Sequence, residues 1–271
     1  MIRFLILAGY FEITMYLQLS GKLNQYINLH YSYLAYISMF LSFVLALVQL
    51  IIWVKQMKIH SHLSGFWAKV ASIFLLCIPL FVGLFFPTVT LDSQTVSAKG
   101  YHFPVAAGSS KEIQQDEGTT TQYLKPDTSS YFTKSAYESE MKQAAKKYVD
   151  KKVIQVTTEN YMEVMEVIYD YPDQFAGKTI ELTGFVYNDP NNKDSQFLFR
   201  FGIIHCIADS GVYGLLTTGA PQHFENNTWI HAKGTLSIEY HKQLKQSLPV
   251  LHINDCQTIT KPANPYVYRV F

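Results

Sequence analysis

His205, Cys206 and Asp209 fall within five positions in the stretch FGIIHCIADSGVYG, residues 201–214. Imidazole, thiolate and carboxylate are the groups that ligate zinc or copper. Two more histidines, His231 in WIHAK and His252 in VLHIN, lie on segments patterned as strands. If folding gathers His205, His231 and His252, Cys206 or Asp209 could complete a site for Zn or Cu. No CxxC or HExxH spacing accompanies them. Neighbours on a strand also point to opposite faces, so His205 and Cys206 cannot both reach one ion without a bulge. The competing reading is a buried strand with Cys206 inside the sheet, running into an Asp209–Gly211 turn where Asp209 caps its own backbone. A Cys206–Cys256 disulfide is a third reading, allowed on the oxidising side of a membrane. Ser210 has His205 and Asp209 beside it but lacks the strand–elbow–helix context of a serine hydrolase, so the sequence does not read as an enzyme.

The elements that must carry these residues divide in two. Of the 22 Lys+Arg and 21 Asp+Glu, residues 1–90 hold only Arg3, Lys22, Lys55, Lys58, Lys69 and the lone acid Glu12. The remainder is net acidic, which argues against nucleic acid as a partner, because phosphate binding needs a basic surface. Aromatics such as Phe197, Phe199, Phe201, Tyr213 and Trp229 could otherwise suggest a base-stacking platform.

The front, residues 1–90, is a transmembrane region. YLAYISMFLSFVLALVQLIIW (33–53) is uncharged and long enough to cross a bilayer. VASIFLLCIPLFVGLFFP (70–87) is a second uncharged span, with Pro79 and Gly83 inside it, which membrane helices tolerate. FLILAGYFEITMYLQL (4–19) is shorter and carries Glu12, so two or three spans fit the pattern. An acid inside a span should face other helices or a partner. Glu12, Pro79 and Gly83 are therefore the positions to examine for helix–helix contact. The connector VKQMKIHSHLSGFWAK bears Lys55, Lys58 and Lys69, together with His60 and His62. The positive-inside rule places it in the cytoplasm and everything after the last span outside.

Residues 91–152 read as a linker carrying one polar, exposed helix, SAYESEMKQAAKKYVD (135–150). Residues 153–271 read as an extracytoplasmic β-rich domain. VIQVTT alternates as a strand, and NYMEVMEVIYDYP has helical spacing closed by Pro172. Five strand-like runs follow: KTIELTGFVY, QFLFRFGIIHCIA, GVYGLLTTG, TWIHAKGTLSIEY and LPVLHINDCQTI. Five short strands, with Gly184 and Gly234 where the sheet must bend, fit a small OB-like β-barrel preceded by short helices.

LDSQTVSAKGYHFP after the last span, then GKTIELTGFVY, RFGIIHCIADSGVYGLL and TWIHAKG, resemble the YcgQ-like family of bacterial permease subunits, in matching order over nearly the whole chain. The resemblance implies a multi-pass protein of the cell membrane. It also implies a partner, a polytopic YraQ-like permease, with which such proteins form a two-component system. Family members carry a His-rich connector, reduced here to His60 and His62, and a Cys-Cys pair before Ala-Asp, here His205-Cys206. The expectation is an accessory subunit embedded in the lipid bilayer whose outer domain gates, stabilises or feeds the permease. The alternative is a metal-binding sensor or chaperone domain anchored in the membrane.

Overall fold

A computed structural model describes residues 1–57, 65–86, 90–100, 134–190, 196–241 and 246–270. His60, His62 and most of the expected linker lie outside the described residues. The chain forms two compact units, Met1–Thr90 and Leu91–Phe271.

Among the described residues, the first unit contains three α-helices: α1 (Ile2–Leu19), α2 (Ser32–Val54) and α3 (Phe66–Phe85). Each is long and apolar enough to cross a membrane. The short Glu12-bearing segment is therefore a third candidate span. Pro79 leaves α3 continuous. The central element is α1, which packs on both α2 and α3. Its Phe11 ring lies 5.3 Å from that of Phe43 in α2. Toward α3, the Tyr10 hydroxyl donates to the Leu76 carbonyl at 2.9 Å. Glycines make this approach close: a Cβ on Gly9 would stand 3.1 Å from Leu80, and one on Gly83 would stand 3.2 Å from Ile13. Small residues at such crossings let helix backbones approach where lipid offers no hydrophobic drive.

The second unit is a ring of strands. Its members are β2 (Thr179–Asn188), β3 (Gln196–Ile203), β4 (Gly211–Thr218), β5 (Trp229–His241) and β6 (Gln246–Thr258). β2 is antiparallel to both β3 and β5, β3 to β4, and β5 to β6, while β4 runs parallel to β6. The order therefore closes on itself, as in a small OB-like Greek-key ring. β1 (Val153–Gln155) adds in parallel to β2, and β7 (Val267–Tyr268) adds in parallel to β3. Closure requires sharp bends. The β5–β6 register shifts at Lys233/Gly234. A Cβ on Gly234 would run into the His252 carbonyl oxygen, so only glycine allows the two backbones to meet there.

Among the described residues, four α-helices belong to this unit: α4 (Ser93–Lys99), α5 (Lys134–Val149), α6 (Tyr161–Asp170) and α7 (Pro172–Phe175). From Tyr161 to Tyr169, every residue of α6 except Glu163 is buried. Two expectations for residues 91–152 are corrected. The stretch after the last span begins with a helix, α4, capped by the Asp92 carboxylate on the Gln94 and Thr95 amides, and Val96 is buried in the core. The helix α5, expected to be exposed, buries Met141, Ala144, Ala145 and Tyr148 against that core. These residues recur at three- and four-residue spacing, an apolar stripe diluted by the surrounding lysines and glutamates.

The aromatics of β2 and β3 also turn away from solvent. Phe185, Tyr187, Phe197, Phe199 and Phe201 share strand parity and are all buried. They pack ring on ring, with Phe197–Phe199 at 5.2 Å and Phe185–Phe201 at 5.6 Å. Tyr213 and Trp229 are buried as well. None of the five aromatics that could have stacked on bases offers a free face.

Candidate functional site

β3 ends at Ile203, so His205 and Cys206 are not on a strand, as the sequence pattern suggested, but on the turn beyond it. The cause is Asp209. Its carboxylate accepts from the His205 amide at 3.0 Å and the Cys206 amide at 3.0 Å, bending the chain into a 3-10 turn, Ile207–Asp209. The same carboxylate meets the His205 Nδ1 at 2.7 Å. Ser210 behind it is wholly buried and donates to the Ile207 carbonyl, while Lys99 from α4 reaches the Ser210 hydroxyl at 3.4 Å. Asp209 is thus a backbone cap with a histidine leaning on it. Cys206 is half-buried, not sealed inside the ring, and Cys206 and Cys256 are both free thiols. Burial, then the Asp255 charge, pushes the Cys256 thiol above its usual range.

His231 and His252 form a repeated arrangement on the outer, polar positions of β5 and β6. The His231 Nδ1 meets the Thr183 hydroxyl at 2.9 Å and its Nε2 meets Glu181 at 3.0 Å. The His252 Nδ1 meets the Thr218 hydroxyl at 2.7 Å and its Nε2 meets Glu239 at 2.5 Å, with Ser237 at 2.8 Å. Ser237, and then His252, hold the Glu239 carboxyl below its usual range. In each case a threonine hydroxyl, which can donate or accept, meets one ring nitrogen and a glutamate carboxylate meets the other. These are exposed ion pairs, worth little to stability individually.

The three histidines therefore go to three different carboxylates and do not converge. Among the described residues no group of three His, Cys, Asp or Glu side chains stands close enough to hold a metal ion. The partners Glu181, Thr183, Ser237, Glu239 and Thr218 were not singled out from the sequence. Glu181 and Thr183 alternate in KTIELTG, which signals one outward face, but the cross-strand register that sets them against His231 is not written in either strand alone.

In the membrane unit, Glu12 is exposed on α1, away from the residues that meet α2 and α3, and Pro79 is exposed on α3. Gly83 is the contact with Ile13 described above.

A second charged group sits deep in the β-rich unit. Glu166 of α6 and Arg269 beyond β7 pair at 3.1 Å with side chains 9% and 10% exposed. Burial raises the Glu166 carboxyl to about 7, and the Arg269 charge only partly opposes this, while Asp170, Glu140 and Glu163 add to the rise. The folded state therefore binds the proton more tightly than the unfolded chain. This stabilisation is full below the ordinary carboxylate range and is lost as pH rises toward 7. We expect Glu166→Gln to remove roughly 3 kcal/mol of pH-dependent stability between about pH 4.5 and 7. Denaturation midpoints of both forms across that range check it; parallel pH profiles would contradict the assignment.

Comparison with known proteins covers the chain from end to end. The DUF1980 N-terminal domain matches residues 2–102, and the DUF1980 C-terminal domain matches residues 131–269. A protein of Streptococcus mutans serotype c (strain ATCC 700610 / UA159), named as the subunit of a candidate two-component membrane permease complex, is 67% identical over 271 residues, with 100% of both chains covered. The UPF0703 protein YcgQ of Bacillus subtilis (strain 168) is 40% identical over 291 aligned residues, again with 100% of both chains covered. No solved structure matches.

Proposed function

Because this chain belongs to the DUF1980 family in both its halves, we propose that it is the accessory subunit of a two-component membrane permease. It acts beside a polytopic YraQ-like permease, and its OB-like domain stands outside the cytoplasmic membrane. The name of the Streptococcus mutans relative supports a permease complex. The observation that carries the reading is the state of the three spans. Only Ile6 of α1 and Ala46 of α2 are buried, and no residue of α3 is. Three helices with so little enclosed surface are few to line a transport path, since transporters assemble from repeats of several helices. Lys55 and Lys69 flank the α2–α3 connector, which supports a cytoplasmic connector and an outer β-rich unit. The outer unit would gate, stabilise or feed the permease, a role in transport and not in catalysis.

The test is affinity purification of the full-length chain from crosslinked native membranes, read by mass spectrometry. A polytopic permease is expected at comparable abundance. A chain recovered alone would overturn the reading. A cysteine placed at Tyr240 should react with a membrane-impermeant thiol reagent in intact cells. Labelling only after lysis would place the β-rich unit inside instead.

A further inference from the structure

We infer that Glu12 is the point at which the membrane unit engages its partner subunit, through a cationic or hydrogen-bond-donating side chain carried at mid-bilayer depth by one of that partner's transmembrane helices. This inference rests on the permease-subunit reading above.

Glu12 lies ten residues beyond Ile2, about 15 Å along the axis, which is the middle of a hydrocarbon core roughly 30 Å thick. A carboxyl at that depth costs about 3 kcal/mol to insert. The chain's own helices do not offset it. Around Glu12, α1 gives Gly9, Tyr10 and Ile13 to α3 and Phe11 to α2. Glu12 points elsewhere, exposed together with Leu5, Tyr16 and Leu19. The spacing of seven, four and three residues puts these four side chains on one stripe.

Nor, among the described residues of the membrane unit, does a helix hold a cation at the right depth. α2 has no charged residue, and Lys69 is the lone charge of α3. The Gly9–Leu80 and Ile13–Gly83 contacts show that α1 and α3 run parallel. With Gly9 level with Leu80 and Ile13 with Gly83, Lys69 falls beyond the start of α1, about 20 Å along the axis from Glu12. The carboxyl therefore faces hydrocarbon unless another chain supplies its partner. An acid on a stripe of α1 that neither α2 nor α3 covers selects a partner of complementary charge.

The experiment uses the tagged full-length chain in native membranes. Glu12→Leu makes α1 more apolar, so the variant inserts at least as well as the parent, and its level in the membrane fraction verifies this. The co-purified polytopic subunit is expected to fall about tenfold, the size of an interhelical hydrogen bond in lipid. Glu12→Lys should lower it at least as far. Phe74→Leu, an exposed residue of α3, should leave the yield unchanged. Full yield with Glu12→Leu would overturn the inference while leaving the subunit reading intact. Absence of any polytopic protein with the parent chain would overturn the subunit reading itself. Recovery of a second, differently tagged copy of this chain, lost in Glu12→Leu, would overturn the inference in favour of self-association.

Discussion

Arg200→Met is expected to destabilise the β-rich unit strongly. Arg200 is 3% exposed on β3, and its guanidinium makes four hydrogen bonds, all to neutral oxygens. Three are main-chain carbonyls of one C-terminal segment: Asn264 at 3.2 Å, Pro265 at 3.2 Å and Tyr266 at 3.0 Å. The fourth is the Thr158 hydroxyl at 3.0 Å. The cation also lies 5.6 Å from the Tyr161 ring centre and 5.8 Å from that of Trp229. Methionine fills the volume but leaves carbonyls without donors inside the protein, at about 1–3 kcal/mol each. A loss of about 4 kcal/mol, or roughly 10 °C in Tm, follows. Arg200→Lys should recover less than half, because an ammonium cannot span the fork. Thermal unfolding of the full-length chain and hydrogen exchange in peptides over residues 260–270 measure it. A loss under about 1 kcal/mol would show that the C-terminal segment is held by β7 alone.

Gly214→Ala should be nearly as severe, for a steric reason. Gly214 of β4 pairs with Phe199 of β3. A Cβ there would collide with the Leu198 carbonyl oxygen and lie 2.8 Å from the Phe199 ring. The carbonyl of the same residue accepts the buried Tyr169 hydroxyl of α6 at 2.9 Å. Neither side can retreat, because backbone faces the glycine on one side and a buried helix holds it on the other. One added methyl then costs about 3 kcal/mol, the upper end for overpacking a rigid core. It should also open the β3–β4 amides to exchange before the rest of the ring. Wild-type protection of peptides spanning residues 196–218 in the variant would refute this account. Gly219→Ala serves as a comparison: its φ of +74° is strained for alanine, but the nearest atom to its Cβ is 3.3 Å away. The expected loss there is about 1 kcal/mol.

These two positions show where the sequence stopped short. Gly214 lies in a run that reads plainly as a strand, and nothing local distinguishes it from a glycine in a turn. Its need arises from the closeness of β3, which depends on how the ring closes. Arg200 sits in QFLFRF, an alternating run where a charged residue would ordinarily face water. It is buried because the C-terminal segment folds back and supplies carbonyls from 64 to 66 residues away. The turn at Asp209 was half legible. The capping role was expected, but it operates four residues upstream and ends β3 early, so the assumed strand geometry of His205 and Cys206 did not form.

What the sequence by itself determined is whatever short-range pattern controls. Charge-free runs define apolar helices, alternation defines strands, and the contrast between an acid-poor front and an acidic back divides the chain into two units. Glu12 was conspicuous for the same reason, as a lone carboxyl in an apolar helix. Only the tertiary structure decided which groups meet. Strand pairing across tens of residues set His231 against Glu181 and His252 against Glu239, and so kept the histidines apart. Packing of α1 on both α2 and α3 decided which stripe Glu12 faces. Periodicity fixes the face on which a side chain lies, but the register between distant elements, set by ring closure and close glycine contacts, fixes its neighbours.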